Sequence, residues 1–455
     1  MTNMLDWMIK ILLMLLLIFT PFAMGSVELW AFSTMEIGIL FIIVLWVIQS
    51  IVNKEPIMRH PKYRIPMFVL GLFLCFVLLQ MVSLPATIIK VISPNTYGLR
   101  QQLQITGSTI GFTSISFFPH ATKVEFFKWV MLAGFFLLLL NWKLSDNGFK
   151  ITKQLMVIIL LVGSFESLFG LFKLFSGTSE LGLGMGTFVN RNHFAGYLLM
   201  VIPLTIGFLF SRGAQSFRKP THWLHRLSVL DGKSLLIGFS VVVMILGLIL
   251  SASRMGILSL LFSFSLIILL VRNPREGSRF SKRSVFILGL AILWGASIGL
   301  DAVISRFFLI SDDLGMRRMI WENTQKIVKD FPVVGSGLGT FTQVFPMYRS
   351  FHIRGLVTHA ENDFLQLVSE VGIMGFGLVL VLFLILIVRA VSNVRSLSLT
   401  EPQRYIGIGG LVGILALMCH SLVERNLQVP ANAFLWTFLW ALVLEAGTRR
   451  VTKIS

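Results

Sequence analysis

A histidine stands among polar and acidic residues in the segment THAENDFLQ, where His359 is followed by Glu361, Asn362 and Asp363. An imidazole with an ordinary pKa near ~6.5 can take a proton from a hydroxyl group close to neutral pH. The segment therefore predicts a candidate general base at His359. A lone histidine is more often a capping or packing residue, and that alternative stays open.

Several arginines lie where apolar segments begin. Arg191, in NRNHF, and Arg254, in SASRMG, each open an apolar stretch, and Arg317 and Arg318 begin an amphipathic helix. In that helix the two cations oppose the helix dipole, which indicates that one of them serves a negative ligand. The alternatives are interfacial snorkelling for Arg254, helix capping by its neighbours with an interfacial charge for Arg191, and solvated surface charge for the other two.

Arginines with one histidine and almost no acidic cluster suit a pyrophosphate ligand. Guanidinium groups bind phosphate oxygens in pairs and stabilise the charge that grows as pyrophosphate leaves. No spacing typical of a metal site occurs, and the GSGLG run of 335–339 predicts a turn because no Rossmann strand precedes it. The sequence thus predicts a pyrophosphate site without a metal or cofactor.

These residues are embedded in a very apolar chain. Of its 455 residues, 55% are hydrophobic and 13% charged, and the mean hydropathy is +0.82. A soluble domain could not cover that much apolar surface, so the composition predicts a polytopic membrane protein of the all-α class. The formal charge of +18 comes from Lys and Arg scattered in short clusters between apolar runs, a pattern that argues against nucleic-acid binding.

Hydropathy predicts about twelve transmembrane helices, since about 20 apolar residues cross a bilayer. The first is interpreted as a retained anchor rather than a signal peptide. The excess of Lys and Arg in alternate loops predicts that both termini are cytoplasmic. The predicted spans cover residues 8–25, 30–51, 66–85, 124–141, 153–174, 193–211, 233–250, 254–271, 284–305, 362–388, 404–423 and 430–446.

Two long segments are predicted on the outer side of a single membrane domain, 1–455. Residues 86–123 predict short amphipathic pieces on the membrane surface. Residues 306–361 form a periplasmic loop between spans nine and ten, in which Met316, Ile320 and Ile327 recur at helical spacing. No internal repeat is evident, which disfavours a transporter fold.

Five blocks in order resemble the O-antigen ligase and polymerase superfamily of bacterial membrane enzymes. The blocks are GTFVNRNHFAGYL at 186–198, SASRMG at 251–256, MRRMIWENTQKIVKDFPVVGSGLGTF at 316–341, HAENDFLQLVSEVGIMG at 359–375 and HSLVERNLQVPAN at 420–432. The resemblance implies a GT-C-like fold and a metal-independent, inverting glycosyl transfer from undecaprenyl pyrophosphate. The reaction would take place on the outer face of the bacterial inner membrane.

The resemblance also implies roles for particular residues. Arg254 and Arg317 match arginines that bind the lipid pyrophosphate, and Arg191 is a further match. His359 matches the histidine that deprotonates the acceptor hydroxyl. Many relatives have His-Asn where this chain has Glu361 and Asn362, so Glu361 is an alternative base.

The acceptor is left open by the resemblance. It is the lipid A core for ligases, the growing polymer for polymerases, and a protein serine for O-oligosaccharyltransferases. A ligase acting on a glycolipid or glycan is the first interpretation, with an O-antigen or exopolysaccharide polymerase next. A transporter of lipid-linked glycans is the alternative from another class, and it would place its ionisable residues near the bilayer midplane.

Overall fold

The computed structural model describes residues 2–58, 60–102, 111–142, 148–177, 184–213, 231–271, 311–352 and 355–446. In this part of the chain, 10 helices are long and apolar enough to cross a membrane, and Pro430–Ala446 is a shorter apolar helix. The predicted all-α polytopic class is therefore confirmed. The predicted ninth span, 284–305, and the first residues of the predicted outer loop, 306–310, lie outside the described residues.

The apolar helices follow the predicted spans to within four residues at most boundaries. The first, fourth and fifth begin five or six residues earlier, at Thr2, Pro119 and Gly148, and the predicted span 362–388 continues to Ser396. Two short strands, β1 (Leu84–Pro85) and β2 (Phe112–Thr113), pair in antiparallel orientation and connect the start of the first outer segment with its later part. The apolar helices are α1 (Thr2–Phe22), α2 (Leu29–Val52), α3 (Arg64–Met81), α6 (Pro119–Asn141), α7 (Gly148–Phe175), α8 (Arg191–Gly213), α9 (Gly232–Leu250), α10 (Arg254–Val271), α13 (Asp363–Ser396), α14 (Pro402–His420) and α15 (Pro430–Ala446). The other helices are α4 (Ala86–Ile92), α5 (Pro94–Gln102), α11 (Ser311–Asp330) and α12 (Phe341–Val344).

Helix α8 is the central helix of the bundle and is buried on every side from His193 to Phe208. It packs closely against α14 because glycines lie at the crossing. A Cβ atom at Gly409 would lie 2.4 Å from the carbonyl oxygen of Pro203, and one at Gly207 would lie 2.3 Å from that of Tyr405. Small residues allow such backbone approach between membrane helices. The crossing fixes α8 beside the α14–α15 turn.

Helix α13 is broken at Gly372, which has a φ of 63° and ψ of −174°. A break leaves backbone groups without helical partners, and such groups need other partners in an apolar surrounding. The segment 332–337 supplies them. The amide of Ile373 donates to the carbonyl of Pro332 at 2.8 Å, and the amide of Gly337 donates to that of Glu370 at 2.9 Å. The outer loop is thus docked on α13 by its backbone.

Two buried side chains hold the turn that follows. Glu370, on α13, accepts hydrogen bonds from the amides of Gly339 at 2.9 Å and Phe341 at 3.3 Å. Gln80, on α3, donates to the carbonyl of Val334 at 2.8 Å and accepts from the amide of Leu338 at 3.0 Å. The run GSGLG at 335–339 is a turn, as the sequence predicts, and its three glycines have positive φ.

Helix α11 packs its apolar face on the rest of the outer loop. Ile320 and Ile327 are buried there, so the predicted amphipathic helix is confirmed. The indole Nε1 of Trp321 donates a hydrogen bond to the carbonyl of Ala360 at 2.9 Å. This bond fixes the residue next to His359.

We expect Gly335→Ala to destabilise the fold, because a Cβ there would lie 2.2 Å from the carbonyl oxygen of Glu370 and the φ of +70° is strained for alanine. The strained backbone alone costs roughly 1–3 kcal/mol. The unfolding temperature of the detergent-purified protein should fall.

Gly377→Ala is the matched control on α13, where a Cβ would meet no atom within 4 Å. It should leave the unfolding temperature unchanged or raise it slightly, since alanine favours the helix by about 1 kcal/mol. Equal unfolding temperatures for the two variants would show that the docked turn is not a stability determinant.

Candidate active site

An open cavity of about 710 Å³ lies at one end of the bundle, where α2, α8 and α15 begin. One part of its wall is apolar and the other is polar and charged. It is lined by Val27, Leu29, Phe32, Glu125, Lys128, Val189, Asn190, Arg191, Asn192, His193, Arg317, His359, Arg425, Gln428, Val429 and Pro430.

The start of α8 is built at this cavity by an asparagine cap. The side-chain oxygen of Asn190 accepts a hydrogen bond from the amide of Asn192 at 2.8 Å, and the helix begins at Arg191. The amino-terminal ends of α8 and α15 both open on the cavity, and each carries a partial positive charge from its aligned peptides. Together with the cationic side chains, these ends favour an anionic ligand.

Four cationic side chains line the cavity: Lys128, Arg191, Arg317 and Arg425. Three of them face carboxylates. Lys128 lies 2.6 Å from Glu125, Arg425 lies 3.5 Å from Glu361, and Arg317 is ion-paired with Glu424. These carboxylates come from separate elements and meet the cations only in the folded chain, so the sequence did not predict them beside the arginines.

Arg317 is held by the turn between α14 and α15. Its guanidinium donates one hydrogen bond to the carbonyl of Val423 and another to Oε1 of Glu424. The amide Nδ2 of Asn192 donates to the same Glu424 oxygen at 2.7 Å. These bonds join the outer loop, the start of α8 and the α14–α15 turn at the wall of the cavity.

His359 also lies on this wall, and its buried Nδ1 has no hydrogen-bond partner among the described residues. Burial, followed by the positive charges of Arg425 and Lys128, lowers the pKa of His359 to about 3, and a hydrogen bond with Gln366 opposes this shift. The imidazole is therefore neutral at pH 7 and able to accept a proton. A bound anion would raise the pKa, since it favours the charged form.

Glu361 is placed differently from His359. It has a φ of +50°, which is uncommon for a residue with a side chain, and its carboxylate faces Arg425 rather than lining the cavity. The neighbouring Asp363 accepts a hydrogen bond from the amide of Leu427 at 2.8 Å. The segment after His359 is thus fastened to the α14–α15 turn.

Two of the predicted arginines lie outside the lining of this cavity. Arg318 pairs with Glu322 at 2.8 Å, and the two side chains are 80% and 55% exposed, so this pair is on the surface of α11. Arg254 begins α10, next to α8, where a Cβ at Gly256 would lie 2.9 Å from that of Ala195. Of the predicted residues, the cavity brings together Arg191, Arg317 and His359.

Sequence reasoning missed Lys128, Glu424 and Arg425. Arg425 and Glu424 stand in the quoted block HSLVERNLQVPAN, where their charges could have been noted. Lys128 lies within an apolar span, and an ionisable residue at such a position is a functional candidate by default. Its Nζ donates to the side-chain oxygen of Gln428 at 3.2 Å, a contact between residues 300 positions apart that no local pattern predicts.

Residues 239–380 match the family model Wzy_C, described as O-Antigen ligase. The matched region contains SASRMG, the helix α11, the GSGLG turn and the segment with His359. No curated protein matches the chain. The match to this family model supports the O-antigen ligase and polymerase superfamily. It implies a glycosyltransferase-like enzyme of the ligase or polymerase type, carried by a polytopic membrane fold.

The lowered pKa of His359 predicts a contribution to the pH dependence of stability. The folded chain keeps the imidazole neutral down to about pH 3, whereas the unfolded chain protonates it below ~6.5. The stability contributed by the neutral imidazole is fully present above pH ~6.5, and it is lost as the pH falls from that value towards the pKa of the folded chain. Between pH 7 and pH 5, His359→Gln should lose less stability than wild type, by on the order of 1 kcal/mol.

Thermal unfolding of both proteins at several pH values tests this, because the difference between them removes the contribution of the other histidines. Parallel curves for wild type and His359→Gln would contradict the burial of a neutral imidazole.

Proposed function

We propose that this protein transfers a glycan from undecaprenyl pyrophosphate to an acceptor hydroxyl, on the periplasmic face of the bacterial inner membrane and with both termini in the cytoplasm. The reaction is inverting and metal-independent, and the acceptor is that of a ligase. One observation carries the proposal: a cationic cavity at converging helix ends has the neutral imidazole of His359 on its wall, and the Nδ1 atom of this imidazole has no hydrogen-bond partner among the described residues.

The donor's pyrophosphate binds to Arg317, Arg191 and Arg425, with Lys128 contributing positive charge. Guanidinium groups bind phosphate oxygens with fixed two-pronged geometry, whereas an ammonium acts as a point charge. The apolar part of the wall, with Val27 and Leu29, faces the bilayer and accommodates the start of the polyprenyl chain. Such an arrangement suits a ligand with an anionic head and an apolar tail.

The chemical step is a single displacement. His359 accepts the proton of the acceptor hydroxyl as its oxygen attacks the anomeric carbon of the donor sugar. The bond between that carbon and the pyrophosphate oxygen breaks, and its electron pair leaves with the pyrophosphate. The arginines stabilise the charge that develops there. Attack from the face opposite the leaving group inverts the anomeric configuration.

The bound donor makes His359 a better base. In the cavity the pKa is lowered by burial and by Arg425 and Lys128. The negative pyrophosphate neutralises these cations, so the imidazole becomes more basic when the donor is present. Since Glu361 faces Arg425, we assign the base to His359 and keep Glu361 as the alternative. Of Arg317 and Arg318, we assign the pyrophosphate to Arg317, since Arg318 pairs with Glu322 on the surface of α11. Arg254 remains a predicted donor-binding residue outside the lining of the cavity.

The enzyme is favoured over a transporter of lipid-linked glycans by the way in which α13 is broken. In a transporter, a broken helix exposes backbone groups to the substrate or to an ion. Here the backbone groups at Gly372 are satisfied by residues 332–337 of the same chain. An acceptor assay distinguishes the ligase from a polymerase and from a protein O-oligosaccharyltransferase.

The protein in nanodiscs, in EDTA, should transfer glycan from undecaprenyl pyrophosphate to lipid A core. A second lipid-linked glycan and a serine-containing peptide are offered in parallel. The measurements are release of undecaprenyl pyrophosphate and the mass gained by each acceptor. Transfer to the second glycan or to the peptide would identify a polymerase or a protein transferase, and no transfer to any of them would refute the proposed reaction.

Arg317→Lys should lower kcat/KM for the donor by at least about tenfold, because an ammonium cannot make the two-pronged contact. Arg318→Lys is the matched control on the same helix, since Arg318 pairs with Glu322 on the surface. It should stay within about twofold of wild type. Equal losses in the two variants would remove the argument for a cavity-facing guanidinium.

His359→Gln should lower kcat by about 100-fold or more, as expected when a general base is removed. Glu361→Gln should have a much smaller effect, because its carboxylate faces Arg425 and not the cavity. Single-turnover rates with saturating donor separate the chemical step from binding. The reverse order of effects would assign the base to Glu361.

A further inference from the structure

The proposed mechanism leaves unused a carboxylate that is buried beside the cavity. The side chain of Glu424 is only 1% exposed, and that of its partner Arg317 is 14% exposed. Its Oε1 accepts hydrogen bonds from Arg317 and Asn192, whereas its Oε2 is buried without a hydrogen-bond partner among the described residues. Burying a carboxylate is costly, and a carboxylate with one unsatisfied oxygen is a poor choice for stability alone.

The contacts of Glu424 fix the orientation of Arg317. One guanidinium nitrogen donates to the backbone carbonyl of Val423 and the other to Glu424 Oε1, so two anchors define its plane. Asn192 donates to the same carboxylate from the start of α8, immediately after Arg191. The network therefore places two arginines of the cavity wall relative to each other.

Glu424 also changes the charge of the cavity. The wall carries Arg191, Arg317, Arg425 and Lys128, and the carboxylate of Glu424 offsets one of these charges at short range. Without such an offset, a highly charged pyrophosphate would bind more tightly as substrate and would also leave more slowly as product. Binding a product too strongly lowers turnover, because only stabilisation specific to the transition state raises kcat.

We propose that Glu424 is a positioning residue with a second role as a counter-charge: it orients Arg317 towards the pyrophosphate and weakens the hold of the cavity on the polyprenyl pyrophosphate product. This inference rests on the proposed function. The substitution Glu424→Gln separates the two roles. Glutamine keeps a hydrogen-bond acceptor for Arg317 and Asn192 but removes the negative charge.

The test is binding of undecaprenyl pyrophosphate to the full-length protein in nanodiscs, by calorimetry at pH 8. Burial raises the pKa of Glu424 and the ion pair with Arg317 opposes that shift, so an alkaline pH favours the ionised carboxylate. Glu424→Gln should bind the product more tightly than wild type, by about fivefold or more, because a negative charge next to the anionic ligand is removed. Glu424→Ala should bind more weakly, because Arg317 loses its orientation.

Glu322→Gln is the matched control, since Glu322 pairs with Arg318 on the exposed surface of α11. It should stay within about twofold of wild type. In steady-state turnover, Glu424→Gln should lower both the donor KM and kcat, and its single-turnover rate should be unchanged. If the role of Glu424 were purely structural, the substitution would reduce the fraction of active protein and would not raise the affinity for the product.

Product affinity in Glu424→Gln that is equal to or weaker than wild type overturns the proposal. If that variant does not fold, Asn192→Asp decides, because it adds negative charge beside Glu424: weaker product binding supports the counter-charge, and unchanged binding overturns it. Failure of the wild-type protein to bind undecaprenyl pyrophosphate would instead refute the proposed function.

Discussion

The arrangement of the site depends on one set of backbone hydrogen bonds, which join a segment of the outer loop to helix α13 at the point where that helix is broken. Gly372 interrupts α13, and residues 332–337 satisfy the backbone groups that the break leaves. In an apolar surrounding such groups have no water to bond, so the docking is obligatory once the helix is broken. It fixes α11 and the segment with His359 to the bundle, and Trp321 then holds Ala360 directly. The described part of the outer loop thereby forms a fixed wall of the cavity.

The cavity lies where it does because alternate spans begin at the same end of the bundle. Helices α2, α8 and α15 all start there, and α13 starts beside His359. Their amino-terminal peptide dipoles add to the charge of the cationic side chains. The close glycine crossing of α8 and α14 keeps the start of α8 beside the α14–α15 turn. A site for an anionic head group next to an apolar surface follows from this geometry.

The charges of the site are balanced rather than simply positive. Carboxylates from α6, from the segment before α13 and from the α14–α15 turn each face one cation. Buried cations without partners would be costly in the free protein, and a fully cationic cavity would retain a leaving pyrophosphate. Partial compensation is consistent with both a stable empty site and a product that can dissociate. Burial, together with the positive charges of Arg425 and Lys128, keeps His359 in its neutral form.

The sequence by itself determined the features that depend on local pattern. The length of each apolar run determined the spans, the spacing of Ile320 and Ile327 determined the amphipathic helix, and the glycine run determined the turn at 335–339. The ordered blocks pointed to the family. Only the tertiary structure decided which charges share a cavity: it placed Lys128 and Arg425 on the wall and left Arg318 on the surface. The physical reason is that charges interact through space, between helices hundreds of residues apart in the chain, and linear spacing carries no record of those distances.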